Sequence, residues 1–208
     1  GDVYKRQLDS WADMNNYEAY LMHSFPQKKP PRAPRILGVD VACGLSILQI
    51  KNELRRRGIV NVTASAFTPD AKYLYDLQTV CDDTACDRIE RLHDFLENRQ
   101  YDYIVLGKPV NTYAEVPRLL RTLLASLNSG GTLFLKLRNC LDIVCYLTMM
   151  GQTFPLEGFV SVITLEQFNQ MLQLLKVNSC NIINIPHQMD DNSQKILRSA
   201  LELSLIHI

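Results

Sequence analysis

The chain has no surplus of either charge. Its 208 residues hold 22 Lys and Arg against 22 Asp and Glu, a formal net charge of zero. That leaves no global electrostatic case for nucleic acid or an anionic membrane surface as partner. It also lacks a long apolar run: a bilayer span takes about 20 residues. The nearest candidate, Leu141 to Met150, is too short and contains Asp142. Zinc-type ligand spacing is missing as well. Cys81 and Cys86 flank Asp82-Asp83, but no His is close in sequence, so no metal is expected. The six cysteines are scattered, and Cys43, Cys140, Cys145 and Cys180 lie in apolar contexts. Scattered, packed, reduced thiols imply a cytoplasmic location.

What is present is ordinary for a globular protein: 47% hydrophobic and 21% charged residues, enough for one domain with a sizeable core. The two ends are related to each other. Asp2-Val-Tyr-Lys-Arg-Gln7 can be encoded as GAT GTG TAT AAG AGA CAG, and the reverse complement of that stretch translates as Leu-Ser-Leu-Ile-His-Ile, which is Leu203 to Ile208. Residues 1–7 and 203–208 are therefore read as scars of a sequencing adapter and set aside. The natural protein is expected to be longer at one or both ends.

Residues 8–34 are expected to form an N-terminal helix, with Trp11, Tyr17, Tyr20 and Phe25 available to pack, and then a Pro-rich linker. The basic cluster Lys28-Lys29-Pro-Pro-Arg32 belongs to that linker. From residue 35 strands and helices alternate. Ile36 to Val41 reads as a buried strand and Gly44 to Arg57 as a helix, with cations in its last turn and Gly58 ending it. Ile59 to Phe67 alternates and is β-branched. Thr68-Pro69 opens a helix, Thr as N-cap and Pro at the first position, and Leu77 to Cys81 is a short third strand. Asp87 to Glu97 is amphipathic, Tyr103 to Leu106 is a continuous apolar strand, and Val116 to Leu127 is a helix. Asn128 to Gly131 is a turn and Thr132 to Leu137 a strand. Helices follow at Asn139 to Met150 and Thr164 to Leu175, the latter opened by a capping box of Thr164 and Gln167. A strand is expected at Cys180 to Ile185 and a helix at Asn192 to Leu201. This alternation specifies an α/β fold: a doubly wound, mostly parallel sheet with helices on both faces and right-handed crossovers.

Three pieces of this pattern resemble class I S-adenosylmethionine-dependent methyltransferases. Ile36-Leu-Gly-Val-Asp-Val-Ala-Cys-Gly-Leu-Ser-Ile-Leu-Gln-Ile-Lys51 is similar to the family's first strand, glycine loop and following helix. Tyr101-Asp-Tyr-Ile-Val-Leu-Gly107 is similar to its fourth strand. Leu119 to Phe134, through Asn128-Ser-Gly-Gly131, is similar to the helix, turn and fifth strand. The likeness covers residues 35–202, read as one methyltransferase-like domain whose last family strand would follow Leu201. It is strongest to members linked to bacterial surface-glycan glycosyltransferases.

The resemblance implies S-adenosylmethionine as cofactor and a sugar or other glycan-related small molecule as acceptor. A fused or associated glycosyltransferase is the implied partner. It also implies cofactor-binding positions. In the family loop, acid-x-Gly-x-Gly-x-Gly, Gly38 takes the acid position, and Asp40, Ala42 and Gly44 take the glycine positions, with Cys43 between. The ribose-holding acid at the end of the second strand aligns with Ala66, and Asp70 is its nearest substitute. Asp82 or Asp83 takes the adenine-side acid position, and Gly107 and Lys108 follow the fourth strand. Lys108 would repel a sulfonium or bind an anionic substrate. Ala42 is tolerable at ordinary backbone dihedrals and poor at positive φ.

No catalytic residue is assigned. His93 reads as a surface or partly packed residue and His187 as a loop residue. Gln152 to Ser161 is the expected substrate loop. Two other functions stay open. One is a catalytically inactive module of the same fold that docks or positions a glycosyltransferase. The other is a nicotinamide-dependent oxidoreductase, disfavoured because Gly38, Asp40, Ala42 and Gly44 do not make G-x-G-x-x-G.

Overall fold

A computed structural model describes residues 21, 25–137, 160–161, 163–177 and 179–182 of the chain. Five strands form one parallel sheet: β1 Arg35–Val39, β2 Thr63–Thr68, β3 Asp83–Cys86, β4 Tyr101–Leu106 and β5 Leu127–Phe134, in the order β3-β2-β1-β4-β5. The order turns back on itself between β1 and β4, so the crevice of this sheet opens where the carboxyl ends of those strands diverge.

Successive residues of a strand point to opposite faces. Leu37 and Val39 of β1 and Ile104 and Leu106 of β4 therefore feed one core, and Ile36, Tyr103 and Val105 feed the other. Helices α1 Leu45–Arg56 and α2 Leu74–Val80 cover the second core, through Ile47, Ile50, Leu54 and Leu77. Helices α3 Leu92–Leu96, α4 Val116–Ala125 and α5 Leu165–Leu174 cover the first. Strands buried on both faces explain the continuous apolar runs Ile36-Leu37 and Tyr103 to Leu106.

Several local expectations hold. Helix α1 ends in a Schellman motif, Ile59 N–H to Leu54 C=O at 2.9 Å and Gly58 N–H to Arg55 C=O at 2.9 Å, with Gly58 at φ +80°. Arg55 and Arg56 occupy its last turn. The capping box is in place: Thr164 Oγ1 accepts from Gln167 N–H at 3.1 Å, and Gln167 Oε1 from Thr164 N–H at 2.9 Å. From the expected N-terminal helix, Leu21 and Phe25 are described. Both are buried, with Phe25 stacked on Tyr103 at 5.1 Å and covered by the Arg57 guanidinium at 4.7 Å.

Other expectations are corrected. Leu77 to Cys81 is not a strand. Leu77 lies inside α2, because the helix presents it to the second core beside Gly44, and Cys81 N–H closes on Leu77 C=O at 2.8 Å. The third strand is Asp83–Cys86 instead. Thr68 ends β2 rather than capping a helix. Asp70 is the cap, its carboxylate accepting from Lys72 N–H at 3.1 Å over a 3-10 turn at Ala71–Tyr73. Ile59 to Val62 precede β2 without joining it, and Val60 is exposed.

Asn128 to Gly131 fall within β5, where two steps of β4 (Tyr101 to Tyr103) oppose five of β5 (Leu127 to Thr132). The expected turn is thus absorbed as an irregularity of the ladder. Cys180 is exposed rather than packed, and positions 180–182 belong to no strand. The expected helices at Asn139 to Met150 and Asn192 to Leu201 lie outside the described residues, as do Cys140, Cys145, His187, Trp11, Tyr17 and Tyr20. No helix among the described residues is long and apolar enough to cross a membrane.

Candidate functional site

The carboxyl edge of the sheet is built around one tight turn. After β1, residues Asp40, Ala42 and Gly44 adopt positive φ, at 53°, 49° and 82°. These are the positions that the resemblance sets against the glycines of the family loop, and all three have left-handed backbone although two of them carry side chains. Holding a non-glycine residue there costs about 1 kcal/mol, less for Asp than for Ala. The turn is held from both sides. Asp40 N–H donates to Phe67 C=O at 2.8 Å, Gly107 N–H to Val39 C=O at 2.8 Å, and Gly44 N–H to Val41 C=O at 2.9 Å. Gly107 is required by contact rather than by dihedral: a Cβ there would lie 2.2 Å from the Asp40 carbonyl oxygen and 2.6 Å from Val41 Cα.

Gly38 sits inside β1, paired with Ala66 and Val105. A Cβ on it would fall 2.5 Å from Ile47 Cδ1 and 2.7 Å from Val41 Cγ2. Ile47 of the helix and Val41 of the turn thus fill the volume that a side chain at this position would need. Cys43 is buried in the same turn.

Asp40 takes over as the acid of this edge. It is 4% exposed. Its Oδ2 accepts from the Tyr113 hydroxyl at 3.0 Å and lies 3.2 Å from Lys108 Nζ, while Oδ1 is buried without a hydrogen-bond partner. Burial, together with the Asp40 carboxylate, pushes the Tyr113 hydroxyl far above the usual tyrosine range, so it stays a donor. Lys108 remains 53% exposed at the rim. Its ammonium is paired with the Asp40 carboxylate.

Tyr113 also connects outward, since its carbonyl accepts from Ser161 Oγ at 2.9 Å. Val160 and Ser161 N–H groups both donate to Asn111 C=O, at 3.0 and 2.9 Å. The end of the expected substrate loop is therefore tied to the turn after β4. Its earlier residues, 152–159, lie outside the described set.

The acids expected elsewhere are redistributed. Ala66 is fully buried in mid-strand, two residues short of the end of β2. The strand ends at the buried Thr68, whose Oγ1 is 3.2 Å from both Asp70 N and Asp70 O. Asp70 itself is at the carboxyl edge, capping the turn after β2. Lys72 holds its carboxyl below the usual carboxylate range through a hydrogen bond, and Lys108 adds to this.

Asp82 and Asp83 are at the opposite, amino edge, because β3 begins at Asp83 rather than ending before it. There Asp82 Oδ2 accepts from Ala64 N–H at 2.8 Å, and Asp83 pairs with Arg99. The acid at the carboxyl end of β3 is Asp87, exposed, with its N–H on Thr68 C=O at 3.2 Å. Sequence reading missed Asp87 because the third strand was placed one element early. It also missed Tyr113, which no local motif marks. A second buried carboxylate with an unpartnered oxygen, Asp76 Oδ2, lies in the first turn of α2.

His93 is exposed in α3 beside Asp94. Among the described residues no group of three or more His, Cys, Asp or Glu is placed to hold a metal. A surface depression of about 430 Å³ lies at the amino edge, between Lys28 to Pro31 and the start of β4. It is remote from the turn, and its acid, Asp102, is already engaged by Arg35 N–H and Asn128.

No protein-family model and no curated protein matches the chain. Solved structures do match. The plantazolicin methyltransferase BpumL in complex with SAH superposes with a TM-score of 0.57 at 16% identity, over 88% of this chain and 76% of that one. The fold is that of the class I methyltransferases. YcgJ from Bacillus subtilis is similar at a TM-score of 0.59 and 14% identity, over 86% of this chain and 76% of its own. The arsenic(III) S-adenosylmethionine methyltransferase CrArsM of Chlamydomonas reinhardtii is similar at 0.51 and 11%, over 76% and 60%. At these identities the likeness concerns the methyltransferase fold, and the side chains of the site have to be read from this chain alone.

Proposed function

We propose that this methyltransferase fold binds S-adenosylmethionine at the carboxyl edge of β1, β2 and β4 and transfers its methyl group to a sugar or other glycan-related acceptor. The observation that carries the reading is the turn after β1. Three residues two apart share left-handed backbone at the topological switch point although only Gly44 is glycine. A cost of about 1 kcal/mol per non-glycine residue is retained where a ligand would sit, as functional sites retain strain.

In this reading the residues Asp40 to Gly44 approach the amino-acid end of the cofactor. Asp70 and Thr68 flank its ribose, and Asp87 replaces Asp82 and Asp83 beside its adenine. The cofactor supplies an activated methyl group. The protein's part is to align the acceptor for in-line attack, so most of the rate comes from positioning. The loop joined to Tyr113 through Ser161 is placed to shape the acceptor side. A glycosyltransferase, fused or associated, is the partner proposed, and the cytoplasm the compartment.

One observation favours a second reading, an inactive docking module. Neither Ala66 nor Thr68 offers a carboxylate at the end of β2. Calorimetric titration with S-adenosylmethionine separates the two. The first reading expects saturable binding in the micromolar to millimolar range; no heat at millimolar ligand would leave the docking module. Transfer of a labelled methyl group to a panel of sugar nucleotides and oligosaccharides then tests the acceptor class.

A further inference from the structure

We infer that Asp40 and Lys108 form a two-charge clamp for a zwitterionic amino-acid group, its ammonium received by Asp40 and its carboxylate by Lys108. This rests on the cofactor-binding reading above and specifies how this chain would do without two of the loop glycines. The Asp40 side chain is 3% exposed, and both of its contacts, Tyr113 and Lys108, converge on Oδ2. Oδ1 is buried and has no partner. A buried carboxylate oxygen left without a donor is costly, and an entering ammonium is the donor it lacks.

Lys108 shows the complementary half. Its ammonium has three N–H donors. One direction is taken by Asp40, and the half-exposed head keeps the others for an anion. Opposite charges 3.2 Å apart match an α-amino acid, whose ammonium and carboxylate hang on one carbon. A ligand carrying only an anion would face Asp40 with Asp70 nearby, and one carrying only a cation would face Lys108. A zwitterion satisfies both and brings no net charge into the turn. Asp40 at φ 53° also explains the choice of residue, because Asp tolerates left-handed backbone better than most side chains.

The test is calorimetric titration of the 208-residue chain with three ligands. S-Adenosylhomocysteine has both charges, its decarboxylated analogue keeps only the amine, and 5′-methylthioadenosine has neither. The unsubstituted chain is expected to lose about tenfold in affinity at each removal, the size of one charge-assisted hydrogen bond. Lys108→Met should erase the difference between the first two ligands and bind methylthioadenosine as before. Asp40→Asn, which keeps shape and backbone preference, should weaken both amine-bearing ligands and spare methylthioadenosine.

Melting curves establish that each variant is folded, and the ligand series on the unsubstituted chain needs no variant at all. Equal affinity for all three ligands would overturn the clamp and leave the cofactor reading standing. So would tighter binding by Asp40→Asn, the mark of an obstructing side chain. No binding of any ligand would overturn both.

Discussion

The two edges of the sheet carry similar numbers of acids and use them differently. At the amino edge the carboxylates act as stitches between elements. Asp82 accepts from Ala64 N–H of β2, Asp83 pairs with Arg99, and Asp102 joins Arg35 N–H of β1 to Asn128 of β5. At the carboxyl edge Asp70 accepts from Lys72 and Asp87 from the Arg88 N–H, bonds confined to their own turns. Asp40 leaves one oxygen without a partner. Each of the amino-edge acids is tied to another element, although Asp82 and Asp83 stay about half exposed. Among the described residues, the carboxyl edge brings together left-handed backbone, an incompletely bonded buried carboxylate and exposed acids, so it is the edge where chemistry can be expected.

This contrast can be broken at several points. The largest effect is expected at the seam of the carboxyl edge. Gly107→Ala drives a methyl group into the Asp40 backbone and should cost about 3 kcal/mol or more, read as collapse of the urea midpoint. At the amino edge, Asp102→Ala removes two inter-strand bonds and should cost about 1–3 kcal/mol while leaving ligand affinity unchanged. Asp87→Ala should do the reverse, shifting stability by no more than about 0.5 kcal/mol and weakening S-adenosylhomocysteine about tenfold. Ala42→Gly relieves left-handed strain and should stabilise by about 0.5–1 kcal/mol, seen as a raised melting temperature.

The last effect appears only in alkali, as a pH dependence at the amino edge. Burial pushes the Cys81 thiol from 9.0 up to about 12. The unfolded chain gives up this proton first, so stability should fall as pH rises from 9 toward 12. The slope of urea stability against pH should be shallower in Cys81→Ala, with no difference between the two proteins below pH 8.

Much of this was legible in the sequence wherever the signal was local. The alternation of β1 and β4 with helices, the Schellman ending at Gly58 and the capping box of Thr164 and Gln167 are properties of short stretches. The third strand was not legible, because Leu77 to Cys81 is an apolar run that periodicity cannot assign. Leu77 packs into the second core as part of α2, beside Gly44, and the strand that follows is four residues long. That single displacement moved Asp82 and Asp83 to the wrong edge and hid Asp87. The left-handed turn was hidden for a different reason. Nothing in Asp40 or Ala42 favours it as glycine would. It is imposed by the hydrogen bond to Phe67 and the bare backbone of Gly107, both distant in sequence. Tyr113 was invisible because its partner, Asp40, is 73 residues away.

The central claim is that the ligand edge is the carboxyl edge and that Asp87, not Asp83, serves it. Its most direct test is a side-by-side calorimetric titration of S-adenosylhomocysteine into Asp87→Ala and Asp83→Ala. Affinity about tenfold weaker in Asp87→Ala and unchanged in Asp83→Ala is the predicted result. Loss of binding in Asp83→Ala with Asp87→Ala unaffected would contradict the account.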